Sequence, residues 1–212
     1  MCKITTALFD FDGVVADTEP LYDIFWNEMA KIYHLGIPEF AAKIKGTTLS
    51  FIFKTYFSSF PEEEIRKIAF ASTEYELKMD FPEVSGSVNF IERLKERNVR
   101  LGLVTSSSSV KMQVALKKMG LEGLFDTVIT ADEITKGKPD PMGYLLAAKN
   151  LQSAPAECVV FEDSFAGIQA GNAAGAKVIG LSTTNSADSI RDKVYTVIPD
   201  FRQPECLLKL FS

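Results

Sequence analysis

Thr5-Thr6-Ala7-Leu8-Phe9-Asp10-Phe11-Asp12-Gly13 decides how the rest of the chain is read. A compact apolar run ends in two carboxylates two residues apart, with a glycine to turn the chain, as a buried strand with a polar end does. The pattern returns three times. Leu101–Val104 runs into Thr105-Ser106-Ser107, Val128–Ile129 precedes the loop Lys136-Gly137-Lys138-Pro139-Asp140-Pro141, and Val159–Phe161 ends in Glu162-Asp163-Ser164. After Pro82 helical and strand patterns alternate. Helices are predicted over Gly86–Arg97, Val110–Met119, Met142–Asn150 and Ser164–Ala174; strands fall at Arg100–Thr105, Thr127–Thr130, Cys158–Phe161 and Lys177–Leu181. A weaker pair, Val194–Ile198 and Pro204–Leu210, closes the chain. Short apolar strands separated by helices predict an α/β fold with a parallel sheet covered on both faces.

The segment 17–82 breaks this alternation. Leu21, Phe25, Met29 and Ile32 form a helical stripe running to His34, with Gly36 and Pro38 as its stop. A second helix is expected over Thr47–Phe57. Ser59-Phe60-Pro61-Glu62 reads as a capping box opening a third, which continues through Ile65, Ile68, Ser72 and Tyr75. The expectation is a helical domain, 17–82, inserted into an α/β core made of 1–16 and 83–212.

Composition narrows the possible chemistry. The 212 residues are 46% hydrophobic, enough for a sizeable core, and 23 basic against 28 acidic residues leave a charge of −5. That balance argues against nucleic acid or an anionic membrane as partner, since both reward a basic surface. Cys2, Cys158 and Cys206 are too few and too scattered for a disulfide framework or a zinc site. No apolar stretch approaches the ~20 residues of a membrane span. Met1-Cys2-Lys3-Ile4 leads directly into a strand, so a cytoplasmic protein without a signal peptide is expected; a monomer is the separate expectation for its assembly. His34 is the single histidine and stands apart from the strand ends, which removes histidine-based triads and phosphohistidine chemistry. The nucleotide-binding G-x-x-x-x-G-K-[ST] loop is missing. Gly167, Gly171 and Gly175 recur every four residues and read as close packing of one helix on the sheet rather than as a nucleotide loop.

What remains is carboxylates, hydroxyls, an ammonium and a metal. A carboxylate such as Asp10 can act as a nucleophile on phosphorus, and a second, Asp12, can protonate the leaving oxygen and then activate water. The same residues would also suit a surface turn. Thr105, Ser106 and Ser107 offer hydroxyls and N–H groups to phosphate oxygens, or simply cap the next helix. Lys138, before a proline, could balance a phosphoryl group. Glu162 and Asp163 lie where a sheet's carboxyl edge binds ligands, and oxygen donors including Asp10 and Asp163 suit Mg²⁺.

In this order, Asp10-Phe11-Asp12-Gly13-Val14-Val15, Thr105, Lys138-Pro139-Asp140-Pro141 and Glu162-Asp163 followed by Gly167 resemble the haloacid dehalogenase superfamily across the whole chain. The insert is similar to that superfamily's helical C1 cap. The resemblance implies a three-layer Rossmann-like core, Asp10 as nucleophile forming an aspartyl-phosphate, and Asp12 as acid/base. Thr105 and Lys138 would then hold phosphoryl oxygens. Mg²⁺ would be held by Asp10, the backbone carbonyl of Asp12 and Asp163, with Glu162 as ligand or support. Asp12 favours phosphoryl transfer over dehalogenation, which has no alkoxide to protonate. Asp17-Thr18-Glu19-Pro20 and Lys45-Gly46 resemble the β-phosphoglucomutase-like subgroup. Tyr22 and Leu49, however, stand where those mutases carry a histidine and a phosphate-gripping arginine. The implied activity is therefore a phosphatase acting on a small phosphorylated metabolite such as a sugar phosphate, with the mutase second and a non-catalytic sugar-phosphate binder third. Lys45, Gly46, Thr47, Thr48, Leu49 and Tyr22 are the candidate substrate contacts of the cap.

Overall fold

The computed structural model describes residues 3–45 and 47–211. Among them, six parallel strands form one sheet in the order β3-β2-β1-β4-β5-β6: β1 (Thr6–Phe9), β2 (Arg100–Val104), β3 (Thr127–Ile129), β4 (Cys158–Glu162), β5 (Lys177–Leu181) and β6 (Thr196–Ile198). Strand β1 is central, pairing Phe9 with Leu103 on one side and Phe161 on the other. The chain passes outward to β2 and β3, then returns to add β4 beside β1. That reversal opens a crevice beyond the carboxyl ends of β1 and β4, where sheets of this kind bind ligands.

Alternation along the strands builds a layer on each face. Ala7, Phe9, Leu101, Leu103, Val159, Phe161, Ile179 and Leu181 point to one side, where Phe9 and Phe161 stack at 4.7 Å. They meet Phe90, Ile91 and Leu94 of α5 (Ser87–Glu96), and Met112 and Ala115 of α6 (Ser109–Met119). Leu8, Val104, Val160 and Val178 face the other way, onto Tyr144 and Ala147 of α7 (Met142–Asn150) and Ile168 and Ala170 of α8 (Phe165–Ala173). The α/β class and the Rossmann-like layering expected from the sequence are found.

Between β1 and α5 the chain is helical: α1 (Glu19–Ile32), α2 (Phe40–Ile44), α3 (Leu49–Tyr56) and α4 (Glu62–Lys78). These helices have a hydrophobic cluster of their own around Phe25, Trp26, Phe40, Ile52, Phe57 and Ile68. The two crossings to the sheet are bonded side by side, with Asp17 N–H donating to the Pro82 carbonyl at 2.7 Å and Ala16 bridged antiparallel to Glu83.

Three local readings change. His34 is outside α1: it takes the left-handed position (φ 50°) after the helix, while Leu35 and His34 N–H groups close onto Ala30 and Lys31 carbonyls, so it, rather than Gly36, ends the helix. Ser59 caps nothing, because Pro61 occupies the N-cap position of α4 and the turn Phe57–Phe60 holds Ser59 outside it. The three glycines do separate jobs. Gly171 lies against Val160 and Val178 of the sheet, Gly167 against the Glu162 carboxylate, and Gly175 (φ 82°) turns the chain into β5.

Candidate active site

The ends of β1, β2, β3 and β4 deliver polar residues to one cavity of about 520 Å³, closed on its far side by the helical insert. Asp10 follows β1, Thr105 follows β2, and Asp163 follows β4; all three are buried. Gly13 turns the chain under them at φ 76°, and its missing side chain leaves room for Asp163, whose Oδ2 a β-carbon would meet at 2.0 Å.

Lys138 enters from the loop before α7. Its ammonium lies 2.9 Å from Asp10 Oδ1 and 2.6 Å from Glu162 Oε1, and donates to the Val104 carbonyl at 3.2 Å. Tyr144 donates to the same Glu162 oxygen at 3.0 Å, its ring 5.3 Å from the ammonium. Glu162 Oε2 accepts from the N–H groups of Asp163 (2.9 Å) and Ser164 (3.0 Å) and from the Ser164 hydroxyl (3.0 Å). Both Glu162 oxygens are thus engaged, and what they do is anchor Lys138 and the start of α8.

Burial pushes Asp10 up to about 7, against the pull of Lys138 and with Glu162 and Asp12 adding to the rise. Burial, then Glu162 and Asp10, also lift Asp163 well above the carboxylate range. Burial would raise Glu162, but Lys138 together with the Ser164 N–H and Tyr144 outweighs it and holds the carboxyl low. Lys138 is depressed by burial and more than restored by Asp10 and Glu162, ending above the ordinary lysine value. Oxygens of Asp10, Glu162 and Asp163 all lie within 4.8 Å of one another, a buried group with more negative charge than one ammonium cancels. Such a hard-oxygen set, short of positive charge, fits a divalent cation such as Mg²⁺.

Asp12 is held by three side chains. Lys111 Nζ lies 2.6 Å from both of its oxygens, Ser107 donates at 2.9 Å, and the Thr18 hydroxyl donates to Oδ1. Of the remaining expected contacts, Thr105, Ser106, Lys45, Thr47, Thr48, Leu49 and Tyr22 line the cavity. Lys45 is held at 3.1 Å by Glu19 and at 3.2 Å by Asp23, both of α1. Gly46 lies outside the described residues.

Sequence reasoning passed over Lys111, Tyr144 and the loop after β5. In that loop Thr183 donates to the Gly13 carbonyl at 2.6 Å, Thr184 to Asp163 Oδ2 and Asn185 to the Asp163 carbonyl at 2.9 Å. Thr183-Thr184-Asn185 had the same signature as the other segments, a polar run straight after an apolar strand. Lys111 left a different trace: a lysine in the first turn of a helix opposes the helix dipole, a local misfit that marks a functional position.

Residues 7–181 match the sequence profile of the family described as haloacid dehalogenase-like hydrolase. The chain is 31% identical over 192 residues to validoxylamine A 7′-phosphate phosphatase of Streptomyces hygroscopicus subsp. limoneus, covering 88% of this chain and 89% of the relative. It is 32% identical to a phosphorylated carbohydrates phosphatase of Thermotoga maritima, covering 79% and 80%. Among solved structures, a β-phosphoglucomutase from Clostridium difficile superposes with a TM-score of 0.82 at 26% identity, over 98% of this chain and 97% of the other.

Proposed function

Because the chain belongs to the haloacid dehalogenase-like hydrolases, we propose that it is a Mg²⁺-dependent phosphatase of a small phosphorylated metabolite, a sugar or polyol phosphate, working through an aspartyl-phosphate on Asp10. The observation that carries the reading is the grip of Lys138 on Asp10: a buried carboxylate held by a buried ammonium, in one cavity with Asp12, Thr105 and Asp163.

In this reading an Asp10 oxygen attacks phosphorus, and the bond to the leaving oxygen breaks as Asp12 hands that oxygen a proton. Asp12 then takes a proton from water, which attacks the acyl phosphate and releases inorganic phosphate and free Asp10. Lys138 fixes the nucleophile's orientation and balances the charge of the equatorial oxygens, while Thr105 and Ser106 offer donors to the same oxygens. Asp10, Asp163 and the Asp12 backbone carbonyl would hold Mg²⁺, whose contribution is to screen the negative charge of phosphoryl group and nucleophile.

The mutase reading is not favoured. Leu49 and Tyr22 line the cavity, and Lys45, the one cation lining it among the described residues, is already held by Glu19 and Asp23, so little is left to grip a second phosphate dianion. The relatives named phosphatases point the same way. Phosphate release over a panel of sugar and polyol monophosphates, with and without Mg²⁺, tests the proposal. Saturable release that needs Mg²⁺ and no bisphosphate, lost in Asp10→Asn, is the expected result. Clean conversion of β-glucose 1-phosphate to glucose 6-phosphate would overturn it.

A further inference from the structure

Lys111 is a buried ion that the reaction as written does not use. Its side chain is fully buried in α6, and its ammonium touches both oxygens of Asp12 at 2.6 Å. A second bond, 2.8 Å to the Ser107 hydroxyl, closes a ring, since Ser107 itself donates to Asp12. The insert provides the other wall. The Tyr22 ring of α1 lies 4.8 Å from the ammonium, Phe11 lies 5.4 Å away, and Tyr22 donates to Glu76 of α4 at 2.8 Å. Glu76, lifted by burial, is drawn back by Lys111. One ammonium is therefore shared between the core's proton-transferring carboxylate and the face of the insert that rests on it.

We propose that Lys111 is a positioning residue for proton transfer: it fixes the Asp12 carboxylate at the cavity wall, and through Tyr22 it makes that placement depend on the seating of the insert. Burying a lysine costs free energy that a purely structural contact could avoid with an apolar residue of the same length. A point charge reaching both oxygens, with Ser107 and Thr18 beside it, instead defines where the carboxylate stands.

The inference rests on the phosphatase reading and on Asp12 as its acid. It predicts a dependence on the leaving group. Departure of an alcohol needs the proton of Asp12, whereas departure of p-nitrophenolate does not. The ratio kcat/KM reports only steps up to leaving-group departure, so hydrolysis of the common phosphoenzyme does not blur the comparison. Lys111→Met, Lys111→Gln and Asp12→Asn are compared with wild type on sorbitol 6-phosphate and p-nitrophenyl phosphate, with thermal unfolding recorded for each.

Lys111→Met should lower kcat/KM for sorbitol 6-phosphate at least about tenfold more than for p-nitrophenyl phosphate, part of the roughly 10²–10⁴-fold that general acid–base catalysis supplies. Lys111→Gln, which keeps a donor, should fall between. Equal losses on both substrates, or collapse of the fold in both lysine variants, would overturn the proposal and leave a structural ion pair. If Asp12→Asn shows no leaving-group dependence, the reading of Asp12 fails. If it does and Lys111→Met does not, the role of Lys111 fails alone.

Discussion

Gly167 lies directly against the carboxylate of Glu162, where a β-carbon would stand 1.6 Å from Oε1. That oxygen is the one holding Lys138 at 2.6 Å. A methyl group on α8 therefore reaches the ammonium beside Asp10 through a single intermediary. Gly167→Ala should cost about 1–3 kcal/mol from overpacking and also lower kcat by an order of magnitude or more. Gly171→Ala, whose β-carbon meets Val178 at 2.8 Å, should cost similar stability and leave turnover unchanged. Thermal unfolding and steady-state kinetics on the pair check this, and parallel losses of activity would count against it.

Lys138 is the single cation between two buried carboxylates. Lys138→Met leaves both uncompensated and should cost about 3–5 kcal/mol in chemical denaturation, with turnover falling about 10²-fold or more. Tyr144→Phe removes one hydrogen bond to a charged partner, about 1.5–3 kcal/mol, with a smaller fall in turnover.

The pH dependence of the metal-free protein follows from Asp10. Its folded value, about 7, exceeds its ordinary 3.8, so between these the folded form carries more protons than the unfolded one. Stability then falls as pH rises through that window, the loss being absent below it and complete above it. Asp163, raised in the same direction, adds to the slope. Melting temperatures in chelator should drop from about pH 4 to about pH 7, less steeply in Asp10→Asn, and Mg²⁺ should recover much of the loss near neutrality. A flat profile in wild type would contradict the assignment.

Lys45 lines the cavity but is already paired with Glu19 and Asp23. Lys45→Met should therefore act on KM with kcat little changed, and glucose 1,6-bisphosphate should not activate the wild type. Activation, or a kcat collapse in the variant, would restore a phosphate-gripping role to Lys45.

The sheet and most helices were legible because every strand is short, apolar and followed by a charged or hydroxyl-bearing segment, and Asp10, Thr105, Lys138 and Asp163 stood out as its polar ends. The convergence of these residues on one cavity needs the strand order, which no local pattern encodes. Lys111 and Tyr144 were hidden for the same reason, each lying inside a helix and acting on a residue far along the chain. Glu162 could be placed at the site, but only its hydrogen bonds distinguish a ligand from an anchor. Ser59 misled because a capping box is a pattern of side chains, whereas Pro61 set the helix start through the backbone.

The paired crossings at Asp17–Pro82 and Ala16–Glu83 have a mechanical meaning. Two crossings bonded to each other make one pivot, so any swing of the four-helix segment turns about a single place close to Asp12. Its aromatic nucleus and its Lys45 pairing are self-contained, and such a swing would strip neither of partners. Among the contacts it would break is that of Tyr22 with Lys111, the ammonium that holds Asp12, so the insert and that carboxylate share a latch.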